Sequence, residues 1–312
     1  MGFNNKIIIV IIAAIALYAV FLLMSDITAL SKQVIKFRFQ YLPIILILVP
    51  SSWIPLFIRW RFLLGNSGIQ VPWKENLKIF LAGNALAITP GKVGDLVKSQ
   101  LLKSKFDIQR TRTAPIVLVE KVYDLVGAVA ASLFGVWLLG IGAYIILVAS
   151  SILVIAFVLI SSSSMFKKVL GLLSKFKFAS KILLPLSESY EVVRSSCRGK
   201  VATVASLLTV CYWMMESLAV YFVLVAFGVD TLNYFNVVST YTTSLILGAA
   251  SFVPGGIGVA EGSLVGLLSL QGVKISSAFT PVVIIRLSTL WYAVGVGFLA
   301  LKLTGGISVS EK

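Results

Sequence analysis

Residues 252–262 read FVPGGIGVAEG, a proline, four glycines and a carboxylate set between two long apolar runs. Proline removes a helix donor and glycine permits positive φ, so the stretch predicts a tight turn between two short helices. In water such a break needs no explanation. Here the flanking runs are long and mostly apolar, and its meaning depends on the solvent around it.

Composition identifies that solvent. The 312 residues are 58% hydrophobic and 12% charged, with a mean hydropathy of +0.99, whereas soluble domains carry about 25% charged residues. The chain reads as an all-α integral membrane protein. Residues 6–24, 42–64, 114–139, 141–160, 201–227 and 279–303 each reach the roughly 20 apolar residues a hydrocarbon core requires, giving six full transmembrane helices. The first follows Lys6 as a secretory signal would, but it is longer than an h-region and lacks a small-residue cleavage site, so it reads as a retained helix.

Several chemistries are excluded. Histidine is absent, which removes imidazole bases and His-ligated metals. Cys197 and Cys211 show no disulfide or metal spacing, and there is no P-loop. The expectation is a transport-type activity, not an enzyme, with no cofactor and no metal.

The net charge of +15 reports membrane topology, not nucleic acid. Residues 161–200 carry Lys167, Lys168, Lys175, Lys177, Lys181, Arg194, Arg198 and Lys200 against Glu188 and Glu191, which places that loop in the cytoplasm. Within it Met165, Phe166, Val169, Leu170, Leu172, Leu173 and Phe176 recur at helical spacing, the pattern of an amphipathic helix on an anionic lipid surface and a basic topology anchor. Tracing outward puts both termini in the cytoplasm of a multi-pass plasma-membrane protein. Residues 25–40, with Lys32, Lys36 and Arg38, argue the other way.

The opening stretch has a partner. Residues 88–96 read ITPGKVGDL, so Pro90, Gly91, Lys92, Val93 and Gly94 echo Pro254, Gly255, Gly256, Ile257 and Gly258. The likeness continues from Pro115 to Pro281 and from Asp95 to Glu261, both 166 apart, while Gly68-Ile69 echoes Gly228-Val229. These matches predict an internal duplication of residues 53–133 and 213–299. Each half contains a helical hairpin, 75–102 and 235–271, with arms too short to cross twice. The hairpins are re-entrant on this reading and enter from opposite sides, an inverted-topology repeat of the kind found in transporters. Broken backbone at membrane depth survives only where protein buries it or a cavity hydrates it. The two turns are therefore expected to share a cavity.

Charges at membrane depth cost roughly 2.5–3.5 kcal/mol each on insertion scales, which singles out Lys92, Asp95, Glu120, Asp124, Glu216, Glu261 and Arg286. Two readings stand. They pair among themselves, Glu120 or Glu261 with Arg286 and Asp95 with Lys98, and only lock the bundle. Or they line the cavity and bind a charged headgroup, with Arg286 suited to phosphate. Gly258, Gly262 and Gly266 form a small-residue stripe suited to close helix packing. Trp53, Trp60, Trp73 and Trp213 read as interfacial anchors.

Three motifs, PGKVGD at 90–95, EKVYD at 120–124 and PGGIGVAEG at 254–262, give the chain its resemblance to the lysylphosphatidylglycerol synthetase transmembrane region family. This YbhN-like or UPF0104 family includes the flippase domain of the MprF proteins and the membrane region of the AglD glycosyltransferases. Lys121 stands where the family pattern has arginine. The resemblance implies movement of a lipid between leaflets, headgroup first; from the reading of the intramembrane charges, Lys92, Asp95, Glu120, Asp124, Glu261 and Arg286 are its expected contacts. The partners would be membrane lipids with charged headgroups and possibly, as a separate chain, a glycosyltransferase or synthetase; nucleic acid is not among them, and an oligomer is possible. An ion- or proton-coupled small-solute transporter and a non-catalytic membrane partner of such an enzyme are the alternatives.

Overall fold

The computed structural model describes residues 34–89, 94–134, 148 and 192–305. The predicted spans 6–24 and 141–160, most of the basic loop 161–200, and Pro90, Gly91 and Lys92 of the first turn lie outside the described residues. Every element described is helical. Among the described residues, three stretches are long and apolar enough to cross a bilayer, Phe39–Asn66, Gly199–Ala226 and Ile275–Leu303.

Helix α1 (Leu42–Asn66) and helix α5 (Gly199–Ala226) pack along each other. They are antiparallel, because the Arg38 amide at the start of α1 donates to the Ala226 carbonyl at the end of α5 at 2.9 Å. Both end in the same cap. Gly68 and Gly228 take φ of 68° and 77°, and the next amides, Ile69 and Val229, reach back to Leu64 and Leu224 at 2.9 and 3.0 Å. With Gly68 donating to Gly65 and Gly228 to Val225, these are two Schellman motifs closed by buried apolar residues. The Gly68-Ile69 and Gly228-Val229 echo thus has one conformation behind it.

A hairpin follows each cap. The first pairs α2 (Trp73–Gly83) with α3 (Val97–Phe106) across a 3-10 turn at Asn84–Leu86. Its outer ends meet where Lys105 donates to Glu75 at 3.1 Å. The second pairs α6 (Tyr234–Ala250) with α7 (Val259–Leu270) across a 3-10 turn at Pro254–Gly256, and Gln271 donates to Thr240 at 2.6 Å near its outer end. Each hairpin leaves at the end where it enters. The arms α2 and α3 have 11 and 10 residues, α6 and α7 have 17 and 12.

After each hairpin comes a further helix, α4 (Arg110–Ser132) in the first half and α8 (Ile275–Arg286) in the second, the latter running through a π turn at Leu287–Trp291 into α9 (Tyr292–Leu303). The halves clasp one another through these helices. Hairpin one packs on α9, where Gly297 lies against the backbone of Asn84 and Ala85 so closely that a Cβ would sit 2.1 Å from the Ala85 nitrogen. Hairpin two packs on α4, where Ser239 donates to the Ser132 carbonyl.

The polarity is that of a protein dissolved in lipid. Ile47, Leu207 and Leu299 are each about two-thirds exposed, while Ser239, Thr240, Thr242, Thr243 and Ser244 of α6 are buried. Two sequence expectations are corrected here. A Cβ at Gly258, Gly262 or Gly266 would meet nothing within 4 Å, so that stripe makes no close helix contact among the described residues; Gly127, Gly248 and Gly297 do. Trp53, Trp60 and Trp213 are buried, not interfacial, and Trp73 is the one of the four that is exposed. Trp60 donates to Asn76 at 2.8 Å and Trp213 to the Asp124 carbonyl at 2.9 Å, so indole N–H groups, satisfied internally, let these rings enter the core.

Candidate functional site

The two helix breaks come to one place. A cavity of about 300 Å³ is lined by Asn84, Ala87 and Thr89 from the first break and by Val253, Gly255 and Gly256 from the second. The breaks hold their shape through glycine. Gly255, Gly256 and Gly258 take φ of 61°, 65° and 84°, and Gly256 abuts the backbone of Gly248. At Gly94 a Cβ would fall 2.3 Å from that of Leu86, and its amide donates to Thr89 at 2.8 Å.

One wall belongs to the first half. Helix α4 presents Glu120, Lys121 and Asp124, α3 presents Lys98, α1 presents Arg59, and Asp95 comes from the turn before α3. Arg59 donates to Asp124 Oδ1 at 2.8 Å and lies 3.6 Å from Glu120, and its other terminal nitrogen donates to Thr209 of α5 at 2.7 Å. Lys98 pairs with Glu120 while its ammonium lies 4.4 Å from the centre of the Trp60 ring, a cation–π contact. Lys121 bridges Asp95 at 2.5 Å and Asp124 at 3.0 Å. Among the described residues of this wall, Arg59, Lys98 and Lys121 match Asp95, Glu120 and Asp124 in number.

The opposite wall belongs to the second half. Arg286 Nε donates to Glu261 Oε1 at 2.6 Å, and its Nη2 donates to the Gly255 carbonyl in the turn. The other oxygen of Glu261 accepts from the Gly258 amide at 2.7 Å, which satisfies a free donor at the start of α7 in the manner of a capping box. Glu261 is fully buried. Arg286 faces the cavity, and Glu261 stands behind it. Glu216, Tyr212 and Trp213 of α5 and Tyr241 of α6 complete the lining.

Of the residues singled out in the sequence, Asp95, Glu120, Asp124, Arg286, Gly255 and Gly256 line this cavity, and Pro254 opens the turn that closes it. The expected pairing of Glu261 with Arg286 is present. The expected pairing of Asp95 with Lys98 is not: α3 packs on α4, so both side chains turn to that helix, Lys98 to Glu120 and Asp95 to Lys121. Sequence reasoning missed Arg59 altogether, and noted Lys98 and Lys121 only in passing. The signal for Arg59 was available as a guanidinium within a 25-residue apolar helix.

The description "Lysylphosphatidylglycerol synthase TM region" matches residues 11–297. A UPF0104 membrane protein of Methanocaldococcus jannaschii is 27% identical over 222 residues, 64% of this chain and 86% of that protein. Two UPF0104 membrane proteins of Methanothermobacter thermautotrophicus are 25% and 29% identical over 46% and 36% of this chain. Those two alignments span 44% and 39% of the relatives' own lengths.

Proposed function

The chain belongs to the lysylphosphatidylglycerol synthase TM-region family, and from that premise we propose that it is a lipid translocase, moving a phospholipid, aminoacyl-phospholipid or polyprenyl-phosphate-linked lipid between leaflets. One observation carries the reading: a charge-lined cavity of about 300 Å³ sits between two helix breaks inside a body whose exterior is apolar. Polar groups at that depth are expensive; they persist where they pair or line a hydrated cavity, and they mark the paths of hydrophilic passengers. The headgroup occupies the cavity and the tails remain in the bilayer.

In this proposal the chain has six full transmembrane helices and two re-entrant hairpins related as inverted repeats. The clasp of each hairpin by the last helix of the other half supports motion of one half against the other as the means of alternating access. The cytoplasmic end is the one that gathers Lys74, Lys78, Lys103, Lys105, Arg112, Lys200 and Lys302, and both termini lie on that side of the plasma membrane. Lys92, Asp95, Glu120, Asp124 and Arg286 are the proposed headgroup contacts. Glu261 acts on the same passenger through Arg286, whose guanidinium it holds.

The test is reconstitution of the purified chain into liposomes containing tail-labelled phospholipid, with quenching of the outer leaflet. The expected outcome is movement faster than in protein-free vesicles, and its loss in Arg286→Ala. Movement unchanged in both Glu261→Gln and Arg286→Ala sinks the site assignment. Activity of the purified chain alone also separates this function from a role only as the membrane partner of a glycosyltransferase or synthetase.

A further inference from the structure

The first-half wall has an unfilled place. Asp95 is 8% exposed. Its Oδ2 receives Lys121, but among the described residues its buried Oδ1 meets no hydrogen-bonding group. Arg59, 2% exposed, has the complementary gap, a buried Nε–H with no acceptor among the described residues. Both residues line the cavity. Buried polar atoms are nearly always satisfied, and leaving one open carries the full penalty of its desolvation. An orphan acceptor and an orphan donor on one cavity wall mark where a ligand's own polar atoms belong.

The charges on that wall decide what kind of atoms those are. Arg59, Lys98 and Lys121 are each within ion-pair distance of Asp95, Glu120 or Asp124, and among the described residues of this wall bases equal acids. An ammonium entering there adds an uncompensated charge to a balanced and largely buried set, which is the costly case. It also has three donors and no lone pair, so it offers nothing to Arg59. A hydroxyl adds no charge, donates to Asp95 Oδ1 and supplies lone pairs for the guanidinium.

From this we infer that the wall formed by Arg59, Asp95, Lys121 and Asp124 is a subsite for the neutral polyol part of a headgroup, a glycerol or sugar hydroxyl pair, and not for an amine. The inference rests on the lipid-handling reading for the passenger being a lipid, but its test reads binding and requires no transport.

The experiment uses the purified full-length chain in detergent and native mass spectrometry with three lipids of identical tails. They are phosphatidylglycerol, phosphatidylpropanol, which keeps the charge and lacks the hydroxyls, and phosphatidylethanolamine, which replaces them with an ammonium. Phosphatidylglycerol is expected to be retained about tenfold better than phosphatidylpropanol, the scale of a hydrogen bond to a charged group. Asp95→Asn turns its amide carbonyl to Lys121 and an N–H donor to the cavity, and is expected to abolish that preference. Equal retention of the glycerol and propanol lipids by the wild-type chain, or stronger retention of phosphatidylethanolamine, overturns the subsite without any variant having to fold. A preference that survives in Asp95→Asn overturns the assignment to Asp95. The two readings fail separately: transport absent with the preference intact removes the translocase, and transport present without the preference removes the subsite.

Discussion

The two helix breaks line one cavity and solve the same problem differently. In each, an acid at the start of the second arm pairs with a base on the following helix: Asp95 with Lys121 in the first, Glu261 with Arg286 in the second. The first pair is partly open, with side chains 11% and 24% exposed; the second is sealed, at 0% and 5%. Arginine's planar fork lets one residue hold the acid through Nε and the turn's own carbonyl through Nη2. Lysine is a point charge, and here it is shared between two acids, leaving Asp95 Oδ1 unused. The second break is therefore a locked turn, and the first is a wall with capacity left over.

That contrast is most exposed to failure at Arg286. Arg286→Ala leaves the Glu261 carboxylate buried without its partner, a loss of about 3–5 kcal/mol, to be read as a lowered melting temperature of the purified chain in detergent. Asp95→Asn removes charge from a pair with some access to the cavity and is expected to cost about 1–2 kcal/mol. If Asp95→Asn proves the more damaging, the second break is not the lock.

The clasp between the halves gives a smaller, steric test. Gly297→Ala drives a methyl into the backbone of the first break at Ala85, with an expected loss of about 1–3 kcal/mol by overpacking. Gly262→Ala, on the face of α7 where a Cβ meets nothing within 4 Å, is expected to be neutral or to stabilise by up to about 1 kcal/mol, since alanine is the better helix former. Thermal melts of the two variants side by side separate them. Equal loss in both would mean that the glycine stripe of α7 packs after all.

The second break was legible because it is local: proline and glycine fix backbone conformation wherever they stand, so PGGIGVAEG announces a turn without any knowledge of the fold. The likeness of Gly68-Ile69 to Gly228-Val229 was visible too, but the caps behind it were not read from the sequence. The charge partners were not. Whether Asp95 meets Lys98 or Lys121 depends on which way α3 rolls on α4, and sequence spacing carries no record of that rotation. Arg59 was hidden by its setting, close to the end of an apolar run where a cation commonly snorkels to the surface. Only its packing against Asp124, Glu120 and Thr209 shows that it points inward. The glycine stripe misled because small residues permit a close approach without requiring one.

The smallest expected effect concerns the chain reversal after each hairpin. Asp107 ends α3 with φ of 54°, and Gly272 does the same after α7 with φ of 89°. An aspartate tolerates the left-handed region better than most residues, though less well than glycine. What the first half has in exchange is Lys103, one turn back on α3, whose ammonium pairs with Asp107 at 2.5 Å; the equivalent place in the second half is Leu268. The hydrogen bond from Lys103 holds the Asp107 carboxyl below its usual range, so the pair contributes above the ordinary carboxylate pKa and is lost as pH falls through the lowered folded value. Asp107→Gly trades that pair for relief of the backbone, and at pH 7 its melting temperature is expected within about 2 °C of wild type. On acidification the wild-type chain loses the pair and the variant has none to lose, so the difference moves toward the glycine variant. Gly272→Asp has no lysine to gain and is expected to be slightly destabilised. A variant gap at Asp107→Gly that stays fixed from neutral pH down to about pH 3, below the ordinary aspartate pKa, would show that the Lys103 pair contributes nothing and that the first half carries an aspartate there for some other reason.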